Sequence, residues 1–455
     1  MKHPKIHSRP TSKLLYKLLV FVFAIGNFCN CFSQTITTVA GTGLSTSTGD
    51  GGPASLATLF PGSIAIDKFG NYYIGDGYHS FIRKVGINDT ISTIAGNGTM
   101  GFSGDGGAAT DAQIGVIDAM ICDTLGNLFF CDISNNRIRK VSIDGIISTI
   151  VGDSSYAYNG DGLPATSTSI YNPAGIAFDS HGNLYFSDAG HSRVRKMSVS
   201  GIVTTIAGNG SLSFGGDGGQ ATAAQIYHPR GIAIDAHDNI YFSDYNNRRI
   251  RKISSSGIIT TVVGNGIGGY SGYGGAATAA TFDGVIGVKI DKYNNIYFSD
   301  YGNMTVNVVY SNGNIATLAG NGTCGFAVDS GLASASILCD PWYIALDSCG
   351  NIYVPDGGNW RVRKITFDHC NYLSTPTVKN ISQTPAYYPN PFSSELTIEN
   401  KTPIESLVVF NLLGQKIFED NNLPQQKAID TRNWPNGMYL LQINHGTIQK
   451  VLKGE

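Results

Sequence analysis

IVTTIAGNGSLSFGGDGGQATAAQIYHPRGIAIDAHDNIYFSDYNNRRIRKISSSG, residues 202–257, is one copy of a unit that the chain uses six times. The aspartate that closes GIAID recurs as Asp67, Asp123, Asp179, Asp235, Asp291 and Asp347, 56 residues apart at every step. The aspartate that ends YFSD keeps the same step, as Asp76, Asp132, Asp188, Asp244, Asp300 and Asp356. A fixed period of this length is the signature of a repeat architecture. Within the copy, Gly231 to Asp235 and Ile240 to Asp244 are short apolar runs parted by the turn formers His237, Asp238 and Asn239. Arg249 to Ile253 and Ile258 to Val263 follow, divided by a Ser-Gly turn. Four strands joined by hairpins form a sheet too small to stand alone. Six such sheets arranged in a ring bury one another, so the chain is predicted to be all-β, a six-bladed β-propeller of four-stranded blades.

The last copy ends with Val362 to Phe367, one strand short, while the chain opens its repeat region with an unmatched strand, Thr35 to Ala40. The N-terminal strand therefore completes the sixth sheet and closes the ring, leaving no open edge.

The copies, of the form P-x-G-I-A-x-D-x-x-G-N-L-Y-x-x-D-x-x-N-x-R-I-R-K and led by AGNG…GFSGDGGAAT, resemble NHL repeats of the GDGG-insert type over roughly residues 35 to 370. The resemblance implies a six-bladed propeller and no single activity. After a Ser-, Thr- and Pro-bearing linker at 371–386 the pattern changes. YYPNPFSSELTIEN, ESLVVFNLLGQKIFE and NGMYLLQINHGTIQKVLK read as alternating strands of a small β-sandwich at 387–455. They resemble the C-terminal sorting domain of the type IX secretion system of Bacteroidota, with Tyr388 to Phe392 matching its YPNPF opening. The resemblance implies export across the outer membrane, to the cell surface or beyond, and the secretion machinery as a partner.

Residues 1–33 read as a signal peptide: Lys13 and Lys17 precede an apolar run, Leu18 to Phe28, that is too short to span a bilayer. No transmembrane span is expected in the mature chain, which should begin near Gln34. Cys29 and Cys31 lack the small neighbours of a lipid-attachment site. Six cysteines remain, Cys122, Cys131, Cys324, Cys339, Cys349 and Cys370, an even number in a chain bound for an oxidising compartment. Pairing between neighbours is the expectation, including Cys122 with Cys131, placed on the same face of one hairpin; buried thiols are the alternative.

Charged residues make up 14% of the chain and the formal net charge is −2, so no general affinity for nucleic acid is expected. The Arg-Lys pairs of the third strands, such as Arg139/Lys140 and Arg251/Lys252, read as a charged belt, solvated or paired with nearby acids. Asp188 with Arg193, and Asp244 with Arg249, read as loop-pinning pairs. Thr305 and Asn307 in the fifth copy and Phe81 in the first stand in arginine positions, so those blades should be held more loosely. The G-x-G-x-x-G matches at Gly96 to Gly101 and Gly320 to Gly325 open no βαβ unit and carry no dinucleotide site. Asp50, Asp105, Asp161 and Asp217 of the GDGG loops are candidates for calcium, but each loop offers one carboxylate where a good site needs several. Otherwise no cofactor is expected.

The frame repeats, yet the positions seven and five residues before each period aspartate differ in every blade. They lie nearest the axis and collect Asp118, Asn172, His228, Arg230, Asp340 and Trp342 as candidate ligand-binding residues. No H-E-x-x-H or G-x-S-x-G is present and no catalytic residue is assigned. The expected function is a non-catalytic, secreted or surface binding module for an extracellular protein or glycan. The alternative is a lactonase-like or lyase-like propeller enzyme with a metal in the central channel.

Overall fold

The computed structural model describes residues 34–367, apart from 328 and 330, and the strands and adjoining turns between 386 and 453. The expected leader at 1–33, Cys370 and most of the expected linker lie outside the described residues. The chain divides at residue 373 into two compact units.

The first unit is a six-bladed β-propeller. In blade four, Pro229–Ile234, Ile240–Asp244, Arg249–Ile253 and Ile259–Val263 pair antiparallel in chain order from the axis outward. The other blades repeat this order, and no α-helix occurs among the described residues. The sixth blade takes its outer strand from the chain start: Gln34–Ala40 lies antiparallel to Arg361–Phe367, with Thr35 opposite Thr366 and Thr38 opposite Arg363.

The periodic aspartates have a local task that explains their spacing. Asp235 accepts hydrogen bonds from the amides of His237 and Asn239, both at 2.9 Å, and from the Asn239 side chain at 2.8 Å. The same set recurs at Asp67, Asp123, Asp179, Asp291 and Asp347. One carboxylate thus closes each hairpin between the first two strands, which is why D-x-x-x-N is repeated. The apolar core lies between blades. Phe282, Val288 and Phe298 of blade five pack on Tyr241, Ile250 and Val263 of blade four. Each fully buried aromatic or branched side chain contributes about 1.5 to 3 kcal/mol.

In the charged belt the arginines are paired with acids, one of the two expected arrangements, but the expected loop-pinning pairs are corrected. Arg83, Arg139, Arg195, Arg251 and Arg363 are among the most completely buried side chains of the propeller. Each guanidinium lies between two carboxylates, the one that ends the second strand and one in the loop that leads into the blade, which is Asp329 for Arg363. Arg251 stands 3.3 Å from Asp244 and 2.7 Å from Asp217, and Arg139 stands 3.5 Å from Asp132 and 2.7 Å from Asp105. The partner of Asp188 is accordingly Arg195, at 3.1 Å, not Arg193, whose guanidinium stacks 3.8 Å from the Tyr158 ring. The side chain two residues further along the strand points back to the same face, and burial there forces a counter-charge. Phe81 replaces only the stacked arginine, and blade one keeps Arg83 with Asp76 and Asp50.

The carboxylates of the GDGG loops already have partners. Asp105 and Asp217 already bind a guanidinium and the amides of Thr149 and Thr261. Asp161 pairs with Arg195 at 3.1 Å, and Asp50 with Arg83. Burial alone would raise the Asp105 carboxyl, but the Thr149 hydrogen bonds and Arg139 outweigh it and hold the group below the ordinary carboxylate range. Each of these loops offers one carboxylate, and that one is paired with an arginine.

Of the expected cysteine pairings, Cys324–Cys339 is present and Cys122–Cys131 is corrected. Cys324 and Cys339 are joined in a disulfide. Cys122 pairs in register with Leu128, so Cys131, three residues beyond Leu128, lies on the other face of the sheet. Cys122 packs with Phe130 and Met120, and Cys131 with Ala119 and Phe129, in separate core clusters. The two thiols are unbonded. Cys370, the expected partner of Cys349, is not among the described residues.

In the second unit, Ala386–Tyr388, Glu395–Glu399 and Gln426–Asp430 form one sheet, and Lys416–Leu423, Ile404–Asn411, Gly437–Ile443 and Ile448–Lys453 another. Leu396, Ile398 and Ile429 of the first sheet share a core with Leu407, Val409, Tyr439 and Leu441 of the second. Two sheets closed over one apolar layer make a small sandwich.

Candidate functional site

The six inner strands run together at the axis, and small residues let them approach: Ser63, Ala119, Gly175, Gly231 and Gly287 take one position in five blades. A Cβ on Gly231 would meet the Ile286 carbonyl of the next blade, and one on Gly175 the Arg230 carbonyl. The sixth blade has Tyr343 at this position. Its ring is buried, and its hydroxyl donates to the Ala174 carbonyl of the third blade, on the opposite side of the ring. Burial raises the phenol's pKa, and Asp118 of the second blade lies near enough to raise it further. Tyr343 therefore spans the channel and forms a floor.

Above this floor Arg230 reaches from blade four to Asp118 in blade two, 3.6 Å away, with its guanidinium 4.9 Å from the Tyr245 ring. Burial raises the Asp118 carboxyl, although Arg230 and Tyr343 oppose the shift. His228 stands 6.4 Å from the Tyr245 ring, and burial, then the Arg230 charge, lowers its pKa, so the imidazole is neutral at pH 7. Trp342 packs 5.2 Å from Tyr301, whose pKa is raised by burial and then by the nearby Asp340. Tyr245, Tyr301 and Trp342 are each partly exposed. They form an aromatic wall on blades four, five and six, beside a charged pair. Asp118 Oδ2, Arg230 Nε and His228 Nδ1 have no hydrogen-bond partner among the described residues.

Five of the six candidates, Asp118, His228, Arg230, Asp340 and Trp342, thus meet around this cup. Asn172 joins none of these ring or hydrogen-bond contacts; its amide donates to the Asn136 side chain at 3.0 Å. Asn172, His228 and Asp340 have φ of 50°, 55° and 51°. Their amides face Asn136, Ser192 and Met304 of the preceding blades, so all three positions also link blades through the backbone. The serines of YFSD hold the axis strands from behind, Ser187 donating to the Arg230 carbonyl and Ser299 to that of Trp342.

The sequence reading missed Tyr343, Tyr245 and Tyr301. Each carried a signal. Tyr343 breaks a run of small residues, and Tyr245 and Tyr301 follow a period aspartate where other blades have Gly77, Ile133, Ala189 and Gly357. Among the described residues no three His, Cys, Asp or Glu side chains converge. Of the cup's two carboxylates, Asp118 faces the Arg230 guanidinium at 3.6 Å.

Ring order, strand pairing and repeat together define the class: an all-β propeller of six four-stranded blades, followed by a separate β-rich unit. Two family models match parts of the chain, one in the propeller and one in the tail. Residues 153–215 and 213–268 match the teneurin NHL domain, and residues 386–453 match the secretion system C-terminal sorting domain. Teneurin-4 of Mus musculus is 24% identical over 347 residues, 68% of this chain; the chain spans only 12% of that relative. An auxiliary nutrient binding protein from Bacteroides thetaiotaomicron is similar in fold, with TM-score 0.55 and 15% identity over 75% of this chain and 78% of that one. One from Bacteroides ovatus has TM-score 0.54 and 17% identity over 74% and 77%. The sorting domain supports export to the cell surface or secretion. No helix among the described residues is long and apolar enough to cross a membrane.

Proposed function

We propose that the propeller is a non-catalytic binding module of a secreted or surface-held protein, and that its ligand is a glycan seated in the cup above Tyr343. The observation that carries this reading is the joining of partly exposed aromatic faces, Tyr301 and Trp342, to a charged pair, Arg230 and Asp118, with unused polar atoms. A sugar ring has an apolar face that stacks on indole or phenol and hydroxyls that both donate and accept. An arginine and a carboxylate held 3.6 Å apart supply both halves of that exchange. The nutrient-binding description of two propellers of like fold supports a task of this kind. Delivery would follow from the tail, whose sorting role brings the propeller outside the cell.

The test is a glycan array probed with the full exported chain, followed by titration of the best binder. Arg230→Ala and Trp342→Ala should each weaken binding by about 1 to 4 kcal/mol, the range of arginine and aromatic anchors. Trp342→Ala should keep the melting curve. Arg230→Ala also lowers it, because it leaves the buried Asp118 without its guanidinium, so its binding is read at a temperature where the variant is folded. Binding that survives both changes would move the site away from the cup, and binding only to a protein on a surface pull-down would replace the glycan by a protein ligand.

A further inference from the structure

Three residues after the aspartate that ends the second strand, four blades have asparagine, whose amide serves two acceptors with its two N–H groups. Asn247 donates to Asp244 and to the Ser213 carbonyl of the insert loop leading into its blade, both at 2.9 Å. Asn135 donates to Asp132 and to the Gly101 carbonyl, both at 2.7 Å, and Asn303 and Asn359 repeat the arrangement. Blade three has His191 at this position. Its Nδ1 lies 2.9 Å from Asp188 Oδ1 and its Nε2 lies 2.9 Å from the Tyr156 carbonyl. Asp188 is occupied as an acceptor, from the Tyr171 amide at 2.8 Å and from Arg195 at 3.1 Å. Both ring nitrogens therefore face acceptors. A neutral imidazole has one N–H and satisfies one of them, whereas the imidazolium has two and satisfies both. Also around the ring are Tyr158 and Tyr171, with centroids 5.7 and 6.0 Å away, and Arg193, whose guanidinium stacks on Tyr158. Arg195 is turned to Asp188 and Asp161. Burial opposes the charged form, as does Arg193, but the Asp188 contacts and the Tyr156 carbonyl outweigh them and hold the imidazole above its ordinary pKa. The Tyr156 carbonyl belongs to a short segment anchored at each end: Asp153 accepts from Ser169 Oγ at 3.0 Å, and Asn159 donates to the Ser167 carbonyl at 2.9 Å. Between these anchors Tyr156 is tied to His191 and rests its ring 5.7 Å from Tyr171.

We propose that His191, as the imidazolium, straps residues 153–157 to blade three and releases them when it loses its second proton as pH rises. The tie is complete below the ordinary histidine range and is lost as pH passes through the higher value of the folded state. The neutral ring keeps the stronger of its two bonds, the one to the buried carboxylate of Asp188. Its other nitrogen then presents a lone pair to the Tyr156 carbonyl, and the segment lifts between its anchors. Release parts Tyr156 from Tyr171, the residue before Asn172 at the blade entrance, so an exposed aromatic surface is assembled at acid pH and dispersed at alkaline pH. Blade one shows that histidine alone does not make the device. His79 stands 2.6 Å from Asp76, but Ser47 of its insert loop donates directly to Asp76 at 2.6 Å, so that loop is tied without the ring.

The full chain is treated briefly with chymotrypsin at steps from pH 6 to pH 9, and the peptides are quantified by mass spectrometry. Cleavage after Tyr156 is divided by cleavage after Leu212 in the same sample. Leu212 is the equivalent exposed residue of blade four, whose loop is tied by Asn247, and the protease's own pH dependence cancels in the ratio. The ratio should rise about three- to ten-fold across the titration, the weight of one hydrogen bond. In His191→Asn the titrating group is gone, so the ratio should be flat over the same range. A flat ratio in the unaltered chain would overturn the proposal whatever the variant does, and so would a pH step that persists in His191→Asn.

Discussion

Blades four and five share strand lengths, pairing and the aspartate that ends the second strand, yet only blade four holds a guanidinium beside it. In blade four Arg251 is clamped between Asp244 and Asp217. In blade five the arginine position is Asn307, which donates to Thr305 at 3.0 Å, and the loop aspartate is Tyr273, packed 4.4 Å from Tyr270. Arginine and loop aspartate have gone together. The remaining Asp300 accepts from Asn303 at 2.6 Å and from the Asp283 amide at 3.2 Å. The difference teaches that the clamp is a unit. A buried guanidinium without its second carboxylate, or that carboxylate without the guanidinium, is worse than neither.

The largest expected effect comes from breaking the unit where it is whole. Arg251→Ala leaves Asp244 buried and without its guanidinium, and should cost about 3 to 5 kcal/mol, read as a fall of several degrees in melting temperature. Asn307→Ala in blade five should cost about 1 kcal/mol or less. Equal losses would mean that the clamp is decoration.

Blade five can also be given the unit it lacks. Tyr273→Asp alone and Asn307→Arg alone should each destabilise, while the double variant should recover, with a coupling of about 1 to 3 kcal/mol. Additive losses in a thermal melt series would show that the arginine needs more of its surroundings than the two carboxylates.

Asp244 and Asp300 separate charge from hydrogen bonding. Burial pushes both carboxyls up to about 6, against the amide and side-chain hydrogen bonds each receives. A raised carboxyl pKa means that the folded state holds its proton more tightly. The stability from this source is full below about 3.8 and is lost as pH rises through about 6. Asp300→Asn should remove that loss and raise stability at pH 7 by about 1 to 3 kcal/mol, with the advantage fading between pH 6 and pH 4. Asp244→Asn should destabilise at pH 7, because Arg251 loses a carboxylate. A melting-temperature profile over pH 4 to 8 that is the same for both variants would refute the distinction.

The smallest effect concerns the ring over the clamp. Phe214 lies 3.7 Å from the Arg249 guanidinium and 4.9 Å from that of Arg251. Phe214→Ala should cost about 0.5 to 1 kcal/mol. Tyr270, with Thr305 and Asn307 in place of the two arginines, should cost less on the same change in a urea titration.

Much of the molecule was legible in the chain because a repeat reports what every blade must do alike. The turn aspartates, the YFSD strand and the unmatched strand at Thr35 to Ala40 are local or counting signals, and they sufficed for ring, blade and closure. Asp118, His228, Arg230, Asp340 and Trp342 were legible as departures from the repeat. Tertiary structure decided what period alone could not. Arg249 and Arg251 are both arginines on one strand, but whether a ring or a pair of carboxylates meets each depends on a loop 34 residues earlier folding beneath the blade. The separation of Cys122 from Cys131 turned on which face of the sheet each occupies. Tyr343 closes the channel only because the sixth blade stands opposite the third, a relation that exists once the ring is closed and has no trace in sequence distance.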